Sequence, residues 1–232
     1  MYNYKKMFVM LFLGFGSGLP YILLISSSSA WLRDVNVDLS YIGFFTWITF
    51  TYTFKFAWAP LVDRFSIPFL AQYGHRKSWI AFMQILIFLS LLFISNIDPI
   101  ENFILFCIVG ATIAFAGSIQ DIAIDAFRIE YAHISDQGNL AASYQLGYRL
   151  AIIAATSIAL IFADINGWSM TFKLMAGLMC LGLLGVIFSK EEKNKELGKL
   201  NFINSIVEPL KDFFSDDDGY VWQSNVNEVA EM

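Results

Sequence analysis

Within the apolar stretch from Phe103 to Phe127 lies Gln120-Asp121-Ile122-Ala123-Ile124-Asp125, with Arg128 just beyond it. Ionisable groups this deep in a lipid-spanning segment cost roughly 2.5–3.5 kcal/mol each, so they mark a transport pathway, a proton site or a buried ion pair. Asp121 and Asp125 are four apart and Arg128 follows three later, which puts all three on one face of a helix. Lys55 and Arg149 interrupt other apolar segments in the same way. One acid can titrate with proton or substrate movement while Lys55 and Arg149 hold countercharges or an anionic substrate. The alternative is a fixed salt-bridge cluster that staples helices together. For Lys55, Asp121 and Arg149 the functional reading is preferred. For Asp125 and Arg128, nearer the membrane surface, gating or a structural role is preferred.

Helices must carry these residues. The chain has 232 residues, 57% hydrophobic, 17% aromatic and only 15% charged, with a mean hydropathy of +0.57. A soluble domain would be about a quarter charged, so the whole chain reads as an all-α integral membrane protein. Six apolar segments can be marked, each near the ~20 residues that cross a bilayer as helix. They run Met7–Leu32, Tyr41–Leu61, Trp79–Ser95, Phe103–Asp125, Leu140–Ala163 and Met170–Ser189. The first follows Lys5 and Lys6 but is too long for a signal peptide and reads as a transmembrane helix. With a net charge of −5 and no basic stripe, nucleic-acid binding has no support. Cys107 and Cys180 lie in apolar runs without ligand spacing and read as packing residues. No metal and no cofactor is expected.

Lys5, Lys6, Arg64, Arg76, Lys77, Arg128, Lys190, Lys193, Lys195 and Lys199 fall at the N-terminus, in the second and fourth loops, and after the sixth segment. The positive-inside rule then makes both termini cytoplasmic, with Trp31, Tyr41 and Trp168 at the outer interface and Tyr4 and Trp79 at the inner one. Two parts follow: a six-helix transmembrane unit over 1–189 and a polar cytoplasmic tail over 190–232. The tail is expected to be largely disordered, with a short amphipathic helix over 203–214. At 1.5 Å per residue, Lys55 and Asp121 lie toward the cytoplasmic side and Arg149 near mid-membrane.

In the first segment, Gly14-Phe15-Gly16-Ser17-Gly18-Leu19-Pro20 joins small residues to a helix-breaker. Gly14 and Gly18 make a face that another helix can approach closely, and tight packing is the preferred reading for both. Pro20, with Ser26–Ser29, can bend the helix beside a cavity. An enzyme reading rests on Gly117, Asp121 and Asp125, which match the tail of a phosphatidyl-alcohol transferase metal motif. The preceding residues Ile104–Phe115 contain no acid or Arg, so metal-assisted phosphotransfer is not expected.

Asp63-Arg64, followed by Gly74-His75-Arg76-Lys77, resembles the inner-loop signature of the major facilitator superfamily, with the interval widened by Phe65–Tyr73. More specific are the Gly14–Pro20 string, Ala30-Trp31-Leu32, the run Tyr52–Arg64, Gln120–Ala126, Leu146-Gly147-Tyr148-Arg149 and Gly167-Trp168. Together these resemble the AmpG-type muropeptide permeases, with acetyl-coenzyme A transporters as more distant relatives. The resemblance implies a bacterial inner-membrane, proton-driven importer of anhydro-muropeptides that works by alternating access. It implies that Lys55, Gln120, Asp121 and Arg149 lie near the translocation route, and that Asp63, Arg64 and Arg76 belong to an inner-loop latch. Asp125 and Arg128 are placed with that gate. Members of that family have two six-helix halves, and this chain covers one. It is therefore expected to pair with a second six-helix chain, or to be a non-transporting remnant or partner-binding half-subunit.

Overall fold

The computed structural model describes residues 4–65, 67, 74–131 and 134–189. The expected tail and its 203–214 helix lie outside the described residues, as does most of the interval between Phe65 and Gly74. The described chain is helical: α1 (Tyr4–Asp34), α2 (Leu39–Thr46), α3 (Phe50–Thr53), α4 (Lys55–Arg64), α5 (His75–Ile94), α6 (Phe103–Tyr131), α7 (Gln137–Ile153) and α8 (Ala159–Phe188). Among the described residues, four helical stretches are long and apolar enough to cross a membrane: Tyr4–Asp34, His75–Ile94, Phe103–Tyr131 and Gln137–Phe188.

Departures from regular helix shape the bundle. The expected span Tyr41–Leu61 is divided into α2, a 3-10 turn at Trp47–Thr49, α3 and α4, with Phe54 at φ −86°, ψ 13° between the last two. Its threonines account for much of this. Thr46, Thr49 and Thr51 donate to the carbonyls of Gly43, Thr46 and Ile48, each at 2.7 Å. Such hydroxyls compete with the regular i−4 ladder. Elsewhere, Gly167 adopts φ 79°, ψ 164° inside α8, a conformation that suits a residue without a Cβ, and it divides the 52-residue stretch Gln137–Phe188.

Helix α1 sits against α6, α7 and α8 and buries Leu13, Leu19, Leu23, Leu24 and Leu32. A membrane offers little hydrophobic force between helices, so small residues that let backbones meet do much of the holding. Gly16 and Gly182 bring α1 against α8, where a Cβ on either would stand 3.1 Å from the other's Cα. A five-residue π-helical turn at Leu23–Ser27 in α1 meets another at Ala154–Ile158 between α7 and α8, and Ser27 Oγ donates to the Ala155 carbonyl. Beyond these turns Trp31 and Trp168 stack with centroids 6.2 Å apart, while Trp168 Nε1 donates to Asp34 at 2.9 Å.

Candidate proton and substrate site

Asp121 projects from α6 toward α1. Ser17 Oγ donates to its Oδ1 at 2.5 Å and shares a 2.7 Å hydrogen bond with the Tyr144 hydroxyl of α7. Glycines create this meeting point. A Cβ on Gly14 would stand 2.1 Å from the Tyr144 carbonyl oxygen, and one on Gly147 would stand 1.9 Å from that of Leu11. The α1 and α7 backbones touch, and Ser17 is carried into reach of both partners. Gly18 meets the Tyr148 ring in the same seam, so both predicted packing glycines face α7. Pro20 lies beside this seam, its ring near Gly117 of α6.

One turn beyond Asp121, Asp125 pairs with Arg128 at 3.6 Å, as their spacing predicts, and with Lys55 Nζ at 3.9 Å. The Arg128 guanidinium also lies 5.7 Å from the Tyr144 ring centroid. Lys55 and Asp125 keep 48% and 43% of their side-chain surface exposed. Arg149 is exposed too, and it forms no ion pair with any described residue. The expected countercharges therefore do not salt-bridge Asp121, whose hydrogen-bond partner is the neutral Ser17.

Two of the expected latch residues, Asp63 and Arg76, meet where the C-terminal ends of α4 and α6 come against the start of α5. Arg76 binds Asp63 at 2.5 Å and Glu130 at 3.5 Å. Glu130 is a partner that sequence reading missed. Arg64 stands apart from this trio, 6.0 Å from the Phe65 ring.

Gln120 is one residue from Asp121, and so about 100° round the helix. It is fully buried beside Gly16 and Gln84. Neither carboxamide has a hydrogen-bond partner among the described residues. Gln84 was also missed, although a lone amide inside the apolar run Trp79–Ser95 is itself a signal. A pocket of about 390 Å³ is lined by Tyr21, Thr49, Phe50, Tyr52, Thr53 and Tyr148. The Tyr21 and Tyr52 rings meet edge to face at 4.8 Å. The Tyr52 hydroxyl fills the space beside Gly117, one helical turn before Asp121. The pocket thus adjoins the acid and joins aromatic faces to hydroxyl groups.

Residues 5–222 match the sequence profile of the Major Facilitator Superfamily. The chain belongs to this superfamily. It is 32% identical over 216 residues to "Putative transporter AmpG 4" of Rickettsia conorii, covering 90% of this chain and 52% of the relative. It is also 32% identical over 214 residues to the "Anhydromuropeptide permease" of Escherichia coli K12, covering 92% of this chain and 43% of that protein. A third relative, "Putative transporter AmpG 3" of Rickettsia typhi, is 30% identical over 215 residues, covering 91% and 50%. The chain spans about half the length of the curated relatives it matches. As a major facilitator protein it is a multi-pass membrane protein, related to transporters rather than to enzymes. The charged residues on α4, α6 and α7 therefore belong to a membrane setting, where ionisable groups are costly and rare.

Proposed function

We propose that the chain forms one six-helix half of a proton-coupled permease of the bacterial inner membrane, with both termini cytoplasmic, importing anhydro-muropeptide-like cell-wall fragments by alternating access. Residues 1–189 form the half-bundle and 190–232 the cytoplasmic tail. A second six-helix half, outside this sequence, completes the route. The observation that carries this reading is that Lys55, Asp125 and Arg149 all stay accessible, Lys55 and Asp125 as a loose pair, in a chain that also holds a tyrosine-lined pocket and Asp121. Transporters built from repeats hold substrate and coupling ions between their halves, near the midplane, and such a set of groups suits one wall of that site. Lys55 and Arg149 bind the anionic groups of the substrate, Asp121 carries the proton, and the tyrosine faces and hydroxyls receive a sugar ring. Gln120 supports the route from behind Asp121. Asp63, Arg64, Arg76, Asp125 and Arg128 form the cytoplasmic gate.

Uptake of labelled anhydro-muropeptide by whole cells tests the reading, with the chain expressed alone or beside the C-terminal half of the E. coli permease. Uptake is expected with the second half present and is lost in Lys55→Ala and in Arg149→Ala, both of which still insert. Normal uptake in both variants would make the two charges structural. No uptake above empty cells with both halves present would overturn the transport reading. If the chain alone takes up substrate, the required second half is contradicted.

A further inference from the structure

The hydroxyls of Ser17 and Tyr144 link Asp121 to the Asp125 ion pairs. Ser17 Oγ stands between Asp121 Oδ1 and the Tyr144 hydroxyl, at 2.5 and 2.7 Å. The Tyr144 ring in turn carries the Arg128 guanidinium, which pairs with Asp125, and Asp125 with Lys55. Four elements contribute: α1 gives Ser17, α7 gives Tyr144, α6 gives the two acids and Arg128, and α4 gives Lys55. The backbone contacts at Gly14 and Gly147 keep α1 and α7 from sliding without disturbing the chain.

We propose that Ser17 and Tyr144 are positioning residues that pass the protonation state of Asp121 to the Asp125 ion pairs. This rests on the reading of Asp121 as the proton carrier. With Asp121 charged, Ser17 donates to the carboxylate and accepts from the Tyr144 hydroxyl. When a proton from water reaches Asp121, the new O–H donates to Ser17 Oγ. The Ser17 hydrogen then turns to Tyr144, whose own hydroxyl hydrogen must point elsewhere. No covalent bond in either residue is broken. The Ser17–Tyr144 contact suits this reversal, since either hydroxyl can donate across it. A carboxyl change is thereby converted into a reorientation on α7, on the ring that Arg128 covers.

Other groups bear on Asp121 and are part of its setting. Lys55 of α4 and Asp125 of its own helix are the charges that act on it. Tyr52 of α3, and Tyr144 and Tyr148 of α7, are the phenols close enough to feel its charge.

The test is infrared difference spectroscopy of the purified full chain in lipid nanodiscs, recorded as pH is lowered. Asp121→Asn assigns the carbonyl band of protonated Asp121. In Ser17→Ala that band is expected to move to higher frequency, because the carboxyl loses its hydroxyl partner. Tyr144→Phe keeps the ring beneath Arg128 and should move the band less, in the same direction. Ser17→Thr should return it to the parent position. Helical circular dichroism confirms that each variant is folded. An Asp121 band unmoved in both Ser17→Ala and Tyr144→Phe overturns the inference and leaves the proton-carrier reading standing. No band lost in Asp121→Asn at any pH overturns both.

Discussion

Along the seam between α1 and α7, Ser17 is buried and both of its partners lie within 2.7 Å. At the exposed Lys55 and Arg149, by contrast, one cation reaches its acid only at 3.9 Å and the other has no ion pair among the described residues. The seam is sterically closed, with backbone against backbone at Gly14 and Gly147. The two cations are open. Ser17 and its partners are therefore held by geometry, while Lys55 and Arg149 keep their freedom. Packing fixes the acid, and exposure keeps the two cations available.

The largest expected effect breaks the closed side of that comparison. Gly147→Ala puts a Cβ 1.9 Å from the Leu11 carbonyl oxygen and should cost about 1–3 kcal/mol, since a tightly packed interface cannot take an extra carbon without backbone shifts. Gly43→Ala is the control. That glycine is exposed in α2, with nothing within 4 Å of the position a methyl would take, and its replacement should stabilise by about 0.5–1 kcal/mol. Denaturant unfolding of the purified protein measures both, and an unchanged Gly147→Ala would show that the seam can relax.

Next comes Gln84→Leu. Removing a buried carboxamide without partners among the described residues should be neutral or stabilising by about 1 kcal/mol. A loss of more than about 2 kcal/mol would show that this amide makes bonds worth keeping. A smaller effect sharpens the open side. A double-mutant cycle on Lys55→Ala and Asp125→Ala should give a coupling of about 0.2–1 kcal/mol, as expected for partly exposed charges 3.9 Å apart. A coupling several times larger would mean that the pair is enclosed.

The smallest effect lies outside the membrane-spanning segments. Asp38 caps α2 by accepting from the Ser40 backbone N–H at 2.8 Å, which holds its carboxyl below the ordinary carboxylate range. A carboxyl depressed in the folded state contributes stability above its unfolded pKa and loses it as pH falls through the folded value. Protection factors of the amides at the start of α2, with the intrinsic pH dependence of exchange divided out, should therefore fall in acid in the parent, and Asp38→Asn should lose that acid dependence. An Asp38→Asn variant with the parent's acid dependence would refute the assignment.

Much of the all-helical fold was legible in composition and in segment length. The pairing of Asp125 with Arg128 was legible as well, because i,i+3 geometry is local. The interruptions of α2–α4 were not, because an apolar run rich in threonine and aromatic residues has the hydropathy of a span while its hydroxyls disturb the ladder. Ser17, Gln84 and Tyr144 went unread for a different reason. They are neutral, so no charge marks them, and Ser17 meets its partners 104 and 127 residues along the chain. Glu130 carries a charge, but its partner Arg76 comes from another helix, so the pairing was not legible either. Whether Arg149 pairs with an acid or stands free was not legible, because its place in an apolar segment does not say which way its side chain faces; among the described residues it has no ion pair.

Whether Lys55 and Arg149 are wetted rather than lipid-covered is open to measurement. Site-directed thiol labelling tests it most directly, on a background with Cys107 and Cys180, both free, replaced by serine. Single cysteines at Lys55, at Arg149 and at the equally exposed apolar positions Leu89 and Ile161 are treated in membranes with a charged, water-soluble maleimide. The account predicts rapid labelling at 55 and 149 and little at 89 and 161. Labelling at 55 and 149 no faster than at 89 and 161 would contradict it.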